Sequence, residues 1–277
     1  MKGLIVTADD FGAAHEVNDA VQEAHCHGIL TAASLMVSGA AASGAIAIAK
    51  ANPRLRVGLH VVLVEGKSTL PASAVPDLVD ATGYFRTDMA ASAARMFFFP
   101  SVRRQLEAEV EAQFSAFAST GLRLDHVNTH KHFHLHPTIA SAILKAGRKH
   151  GMRAMRVPLE PHDVLRKAEP GTKLSSAFAT APWARLARAR LRAAGMRVPD
   201  QVFGLAWSGA MTPARVLGLI ENLPEGLSEL YLHPATGPYA GSAPGYRYAE
   251  ELAALTAPRV VEASRNSAIA KGGFADF

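Results

Sequence analysis

Short apolar runs alternate along this chain with longer stretches whose apolar residues recur every three or four positions. GLIVTA (3–8) reads as a buried strand, and Val17–His27 follows as an amphipathic helix. ASLMV (33–37) is strand-like, and Ala41–Ala51 is an Ala-rich helix stopped by Pro53. RVGLHVVL (56–63) is a β-rich run. Val102–Ser119 is a helix with an apolar stripe at Leu106, Val110, Phe114 and Phe117. LDHVNT (124–129) predicts a strand, and Pro137–His150 a helix that opens on its proline. MRAMRVP (152–158), VFGLAW (202–207) and ELYLHP (229–234) predict three more strands. Thr212–Glu221 and Tyr248–Thr256 predict helices, and PRVVEA (258–263) a last short strand.

Strands separated by helices are βαβ units, which build a parallel sheet. Seven or eight such units in 277 residues point to an α/β fold, an irregular (β/α) barrel rather than an open doubly wound sheet. The expectation is one barrel domain over residues 1–277, interrupted by two excursions. Residues 64–101 carry Pro, Gly and the cluster MFFFP (96–100); residues 158–200 carry Pro, Gly and a basic, Ala-rich helix.

Composition narrows the function. Hydrophobic residues make up 49% and charged residues 19%, which excludes a disordered chain. One cysteine, Cys26, excludes an internal disulfide and a Cys-rich zinc module. The opening MKGLIVTADDFG has too short an apolar run for a signal peptide, and no stretch reaches the length of a membrane span. A cytoplasmic protein is expected, with possible contact at the inner face of a membrane. The net charge of +5 favours acidic partners in general. No P-loop or GxGxxG occurs, and the arginines lack interleaved aromatics, so no nucleic-acid partner is expected.

Titratable residues gather where strands are expected to end, which is where barrel active sites lie. Asp9 and Asp10 follow the first strand, His60 sits late in the third, and His233 ends ELYLHP. HVNTHKHFHLHP (126–137) holds five of the chain's twelve histidines. Each cluster also has a plain structural reading: a turn or cap for the aspartates, a packed core position for His60 or His126. Together they suit a metal-dependent hydrolase. One aspartate with His60 and His130 would hold a cation, the other aspartate would be a base, and His233 would be an acid near neutral pH. Two imidazoles and a carboxylate favour zinc, cobalt or manganese over magnesium.

TADDFG (7–12), GLH (58–60), HVNTHKHFHLHP and ELYLHP, in this order, resemble the YdjC-like carbohydrate deacetylases, which include the chitooligosaccharide deacetylases. The resemblance implies a barrel related to polysaccharide deacetylases and removal of an N-acetyl group from an amino sugar. It implies Asp10, His60 and His130 as metal ligands, Asp9 as the catalytic base, and His233 beside the departing amine. It also implies magnesium as the cofactor, with zinc the chemical competitor, and a homodimer. The family pattern often reads DSHHHVH where this chain has NTHKHFH, so Asn128 stands for an acid and Lys131 for a histidine.

HVNTHKHFHLHP with the upstream MFFFPSVRRQL further resembles the hopanoid biosynthesis-associated HpnK branch, which implies an N-acetylglucosamine-bearing hopanoid as substrate. His132 and His134 are expected to line or brace the site, Arg156 to orient Asp9 or bind substrate, with a surface or barrel-rim salt bridge its alternative, and His126 and His136 to be structural. In PWARLARARLRAAGMR (182–197), Arg185, Arg188 and Arg192 fall near one helical face that could rest on anionic lipid. The alternatives are deacetylation of soluble chitooligosaccharides, another amidohydrolase or phosphoesterase on the same barrel, and a sugar- or lipid-binding protein with a degenerate site.

Overall fold

The computed structural model describes residues 2–173 and 177–277, the side chains of 177–179 excepted; residues 174–176 of the second excursion lie outside the described residues. The first apolar run lengthens into a central strand, β1 (Lys2–Phe11), buried along nearly its whole length. β2 (Ala32–Leu35), β3 (Arg56–Val61) and β4 (Val127–Thr129) add on one side, and β6 (Gly226–Leu232) and β5 (Gln201–Phe203) on the other. All these pairings are parallel. β7 (Ile269–Lys271) lies parallel to Lys2–Leu4, below the point where β2 begins to pair at Thr7. The sheet curls into a half-barrel, the irregular (β/α) architecture expected.

Residues 152–158 form isolated bridges rather than a regular strand. Met155 pairs with Val127 of β4 and Ala154 with Arg197, while Val202 N donates to Leu159 O. The segment therefore occupies the gap between β4 and β5. No ladder forms because its far neighbour at Arg197 is loop rather than strand.

Helices α1 (His15–His27), α2 (Ala42–Ala51), α4 (Pro100–Ser119), α5 (Pro137–Lys149), α8 (Pro213–Glu221) and α9 (Tyr248–Thr256) follow the periodic stretches closely. PRVVEA is a correction: Pro258–Ser264 is helix α10, not a strand. Proline is tolerated in a helix's first turn, and Val260 and Ser264, four apart, share the buried stripe. The first excursion contains α3 (Met89–Phe98), capped by Asp88, whose side chain accepts from Ala91 N. The second contains α6 (His162–Ala168) and α7 (Ala177–Ala193).

The strands sort their side chains to two faces. Leu4, Val6, Ala8, Ala33, Leu35, Leu59, Val61, Leu230 and Leu232 face the helices and form the main core. The inward face is layered. Ile5, Ala32, Ala154 and Phe274 make a small apolar plug at the bottom. Above it come buried polar groups: Thr7, Ser34, His126, Asn128, Arg156 and Glu229. Alternation thus separates an oily shell from a polar interior that opens at the C-terminal strand ends.

Candidate active site

Asp9 and Asp10 are consecutive on β1, so a regular strand would send them to opposite faces. The β1–β2 register breaks between Ala8 and Phe11, and Asp10 takes a left-handed backbone at φ +63°. This bulge turns both carboxylates into one cleft. Gly12, at φ +93°, completes the turn. A side chain there would crowd Met36 O and the Ala42 backbone.

Asp10 Oδ1 lies 3.2 Å from His60 Nε2 and 3.2 Å from His130 Nδ1, and the two nitrogens are 3.3 Å apart. Among the described residues, these three, brought from β1, β3 and the end of β4, form a group that could hold a cation. His60 Nδ1 donates to Asn128 Oδ1 at 2.7 Å, so that the neutral ring turns its Nε2 lone pair to the cluster and the charged ring an N–H to Asp10. Burial opposes ionisation of Asp10, but His130 and His60 hold its carboxyl well below the usual range. Burial likewise disfavours a charged His60, yet its hydrogen bond to Asp10 and the charges of Asp9 and Asp10 raise it.

Asp9 is clamped differently. Its two oxygens receive Arg156 Nη1 (2.5 Å) and Nη2 (3.0 Å), and Oδ1 also accepts from Asn128 Nδ2 at 3.0 Å. Arg156 is fully buried and turns its Nε and Nη2 to Glu229 Oε1, at 3.0 and 2.7 Å. Burial alone would raise the Asp9 carboxyl, but Arg156 and the nearby His60 keep it ionised far into acid.

His132, His134, His136 and His233 do not join the ligand cluster. Residues His130–Leu135 form a short 3-10 turn with Lys131 and His132 in left-handed conformations, so the alternating histidines lose their common face. His132 Nε2 meets Tyr231 OH at 3.0 Å, and burial with the Arg156 charge holds its imidazole well down. His134 bonds Thr129 Oγ1 at 2.7 Å, and burial followed by the Arg156 charge lowers it to about 3. His136 stands edge-on to Phe97, outside the cleft. His233 lines the cleft between the rings of Tyr231 and Tyr246, its Nδ1 without a hydrogen bond among the described residues.

The cleft has a volume of about 1040 Å³ and is walled further by Lys67, Tyr239 and Tyr246. Sequence reading missed Glu229, Tyr231 and the central part of Asn128. A signal existed: Glu229 and Tyr231 on β6 and His233 just past its end are spaced two apart, as are His126 just before β4 and Asn128 within it. Residues so spaced share a strand face.

Arg156→Ala strands two buried carboxyl groups. It should cost about 3–5 kcal/mol of stability, the usual penalty for breaking a buried ion pair from one side. Denaturant unfolding of the variant beside the parent measures it.

Comparison with known proteins follows the same lines. The sequence profile described as YdjC-like protein matches residues 3–266. A carbohydrate deacetylase of Geobacillus stearothermophilus is 33% identical over 93% of this chain and 90% of its own. A mouse carbohydrate deacetylase is 32% identical over 92% and 88%. One from Brevibacillus brevis is 37% identical, but there the match spans only 56% of this chain and 58% of the relative. A crystal structure from Enterococcus faecalis V583, of a proposed cellobiose-phosphate cleavage protein, superposes over 99% of the chain. Its TM-score is 0.75, at 25% identity. With the profile covering nearly its whole length, this chain belongs to the YdjC-like family.

Proposed function

We propose that the protein is a metal-dependent hydrolase that removes the N-acetyl group from an N-acetylated amino sugar and releases acetate. The observation that carries this reading is the convergence of Asp10, His60 and His130 beside the clamped Asp9 in one cleft. The relatives named carbohydrate deacetylase supply the substrate class.

The donor set fits a divalent cation. Two imidazole nitrogens and one carboxylate oxygen lie within 4.8 Å of one another. Asp9 and Glu229 share the Arg156 guanidinium while Asp10 faces the imidazoles of His60 and His130, so added positive charge is welcome. The ligands suit zinc chemically, and magnesium is the family's expectation. Such an ion, held by Asp10, His60 and His130, would polarise the amide carbonyl and acidify a water.

Asp9, locked as an anion by Arg156, takes the proton of the attacking water. Its low basicity would be offset by the acidity that a bound cation would give that water. The water oxygen bonds the carbonyl carbon, and the C–N bond then breaks. His233, on the wall it shares with Tyr231 and Tyr246, gives its proton to the departing nitrogen. Acetate and a free amine result. Tyr231 and His132 stand next to His233 and Arg156 and brace that wall.

The natural substrate we propose is lipid-linked, an N-acetylglucosamine-bearing hopanoid, with soluble chitooligosaccharides the alternative. Two apolar surfaces flank the cleft's histidine turn. Phe97, Phe98 and Phe99 are 46%, 71% and 55% exposed, and Phe97 touches His136. Trp183 and Leu186 on α7 are 46% and 42% exposed, and Trp183 Nε1 donates to Leu135 O. Exposed aromatics of this kind suit a lipid tail or a membrane surface. The arginines contribute less than their helical spacing suggests. Arg188 donates to Asp200 O, and Arg192 to Val198 O and Asp200 Oδ1, so both tie α7 to its own following loop.

Mass spectrometry of the purified protein with N-acetylglucosaminyl-bacteriohopanetetrol and with diacetylchitobiose, each with added metal or chelator, tests the reading. Metal-dependent loss of one acetyl group from the hopanoid alone is expected. Loss from chitobiose alone would discard the lipid substrate, and no loss from either would overturn the deacetylase. Asp9→Asn should lower the rate by about 10²–10⁴-fold, the usual contribution of a general base. In vesicle co-sedimentation, Phe98→Ser with Trp183→Ser should weaken binding to anionic membranes. Equal binding by parent and variant would remove the membrane contact.

A further inference from the structure

The mechanism leaves one buried cluster unused. Beneath the ligand site, Asp125, His126 and Ser34 are 4%, 0% and 0% exposed, and none of them lines the cleft. Their hydrogen bonds form a continuous line. His126 Nδ1 meets Asp125 Oδ2 at 2.9 Å, Ser34 Oγ meets His126 Nε2 at 3.0 Å, and Asn128 Nδ2 donates to Ser34 Oγ at 2.8 Å. Asn128 then branches, donating to Asp9 Oδ1 and accepting from His60 Nδ1.

The polarity of this line runs one way. The Asp125 carboxylate has only lone pairs, so His126 Nδ1 carries the hydrogen. With a neutral ring, Nε2 is left to accept, and Ser34 gives it the hydroxyl proton. The Ser34 oxygen must then accept from Asn128, whose amide nitrogen is thereby fixed toward Ser34 and Asp9. The amide oxygen is turned to His60, which must bear its hydrogen on Nδ1 and present a free pair at Nε2. An Asn128 flip would set oxygen against the Asp9 carboxylate and nitrogen against His60 Nδ1. The Nε2 pair would then be lost to a hydrogen.

The far end is anchored as firmly. Asp125 accepts from Phe274 N at 3.0 Å and Ala275 N at 2.9 Å, and Phe274 stacks on the His126 ring with centroids 4.2 Å apart. A Cβ on Gly58 would come within 2.5 Å of that ring, so the glycine of GLH leaves room for His126.

We propose that Asp125, His126 and Ser34 are positioning residues, a buried relay that sets the orientation of Asn128. Through Asn128 the relay sets the donor atom of His60 and the place of Asp9. The proposal rests on the metal-hydrolase reading above. His126 thereby gains a part beyond the packing role that the sequence suggested.

Cobalt(II) titration of the intact protein, followed by its visible absorption, tests this without relying on turnover. Ser34→Ala should weaken Co²⁺ binding by about 10–100-fold, the usual effect of losing the partner that orients a ligand. Its kcat on the acetylated sugar should fall while KM stays within about twofold. Ser34→Thr, which keeps the hydroxyl, should recover most of the affinity. His126→Phe keeps a ring against Phe274 and should match Ser34→Ala, and the double variant should be no worse than either single one. That non-additivity is the mark of a shared line. A cooperatively folded Ser34→Ala or His126→Phe protein that binds Co²⁺ like the parent, with the same spectrum, would overturn the relay. A parent that binds Co²⁺ but deacetylates nothing would sink the substrate reading alone. A parent that binds no Co²⁺ would overturn both.

Discussion

The structure turns on the guanidinium of Arg156. It comes from the segment that fills the gap between β4 and β5, and it reaches across the interior to Asp9 on β1 and Glu229 on β6. Its own backbone N donates to Val127 O of β4. One residue therefore ties the irregular part of the barrel to its two central strands. Moving such charges out of water costs several kcal/mol per ion, and pairing recovers that only with good geometry. A well-packed apolar residue would serve stability as well. What the guanidinium adds is direction, because its planar fork holds Asp9 in one orientation at the edge of the cleft.

Around that anchor the cleft is assembled by local departures from regular backbone. Among the described residues, the non-glycine positions at positive φ are Asp10, Glu65, Lys131 and His132, and all four line the cleft. Each such conformation costs on the order of 1–3 kcal/mol and persists only where its surroundings hold it. Asp10 is held by the bulge and by its two histidines. Lys131 and Glu65 hold one another through an ion pair. His132 is held by Tyr231. The same strain that bends the chain aims the side chains.

The interior below the cleft is unusual in being polar through two layers before it becomes apolar. Buried polar groups are tolerated only when paired, and the line from Asp125 to Asn128 pairs them in sequence. The apolar plug beneath includes Phe274, whose ring covers that of His126. Asp9 and His60 at the cleft and the turn at Phe274 and Ala275 at the bottom thus share one continuous set of hydrogen bonds.

Period-two apolar runs and helical stripes were enough to place most strands and helices, because burial on one face imposes those periods locally. The motifs TADDFG, GLH and HVNTHKHFHLHP were enough to single out one aspartate with His60 and His130 as a candidate ligand set, the family resemblance pointed to Asp10, and the fold brings these three side chains together. PRVVEA was misread, since two adjacent valines favour a strand in isolation and only packing beside α8 and α9 selected the helix. Arg156 was legible as a residue that could orient Asp9, but the two-pronged form of that clamp, the direction of Asn128 and the partnership of Glu229 with Arg156 could not be read from the chain. Their partners lie between 68 and 147 positions apart. Composition and spacing settle which groups the chain contains and which strand face each occupies. Which groups meet depends on the curl of the sheet and on one bulge, and these arise only when all the strands have packed.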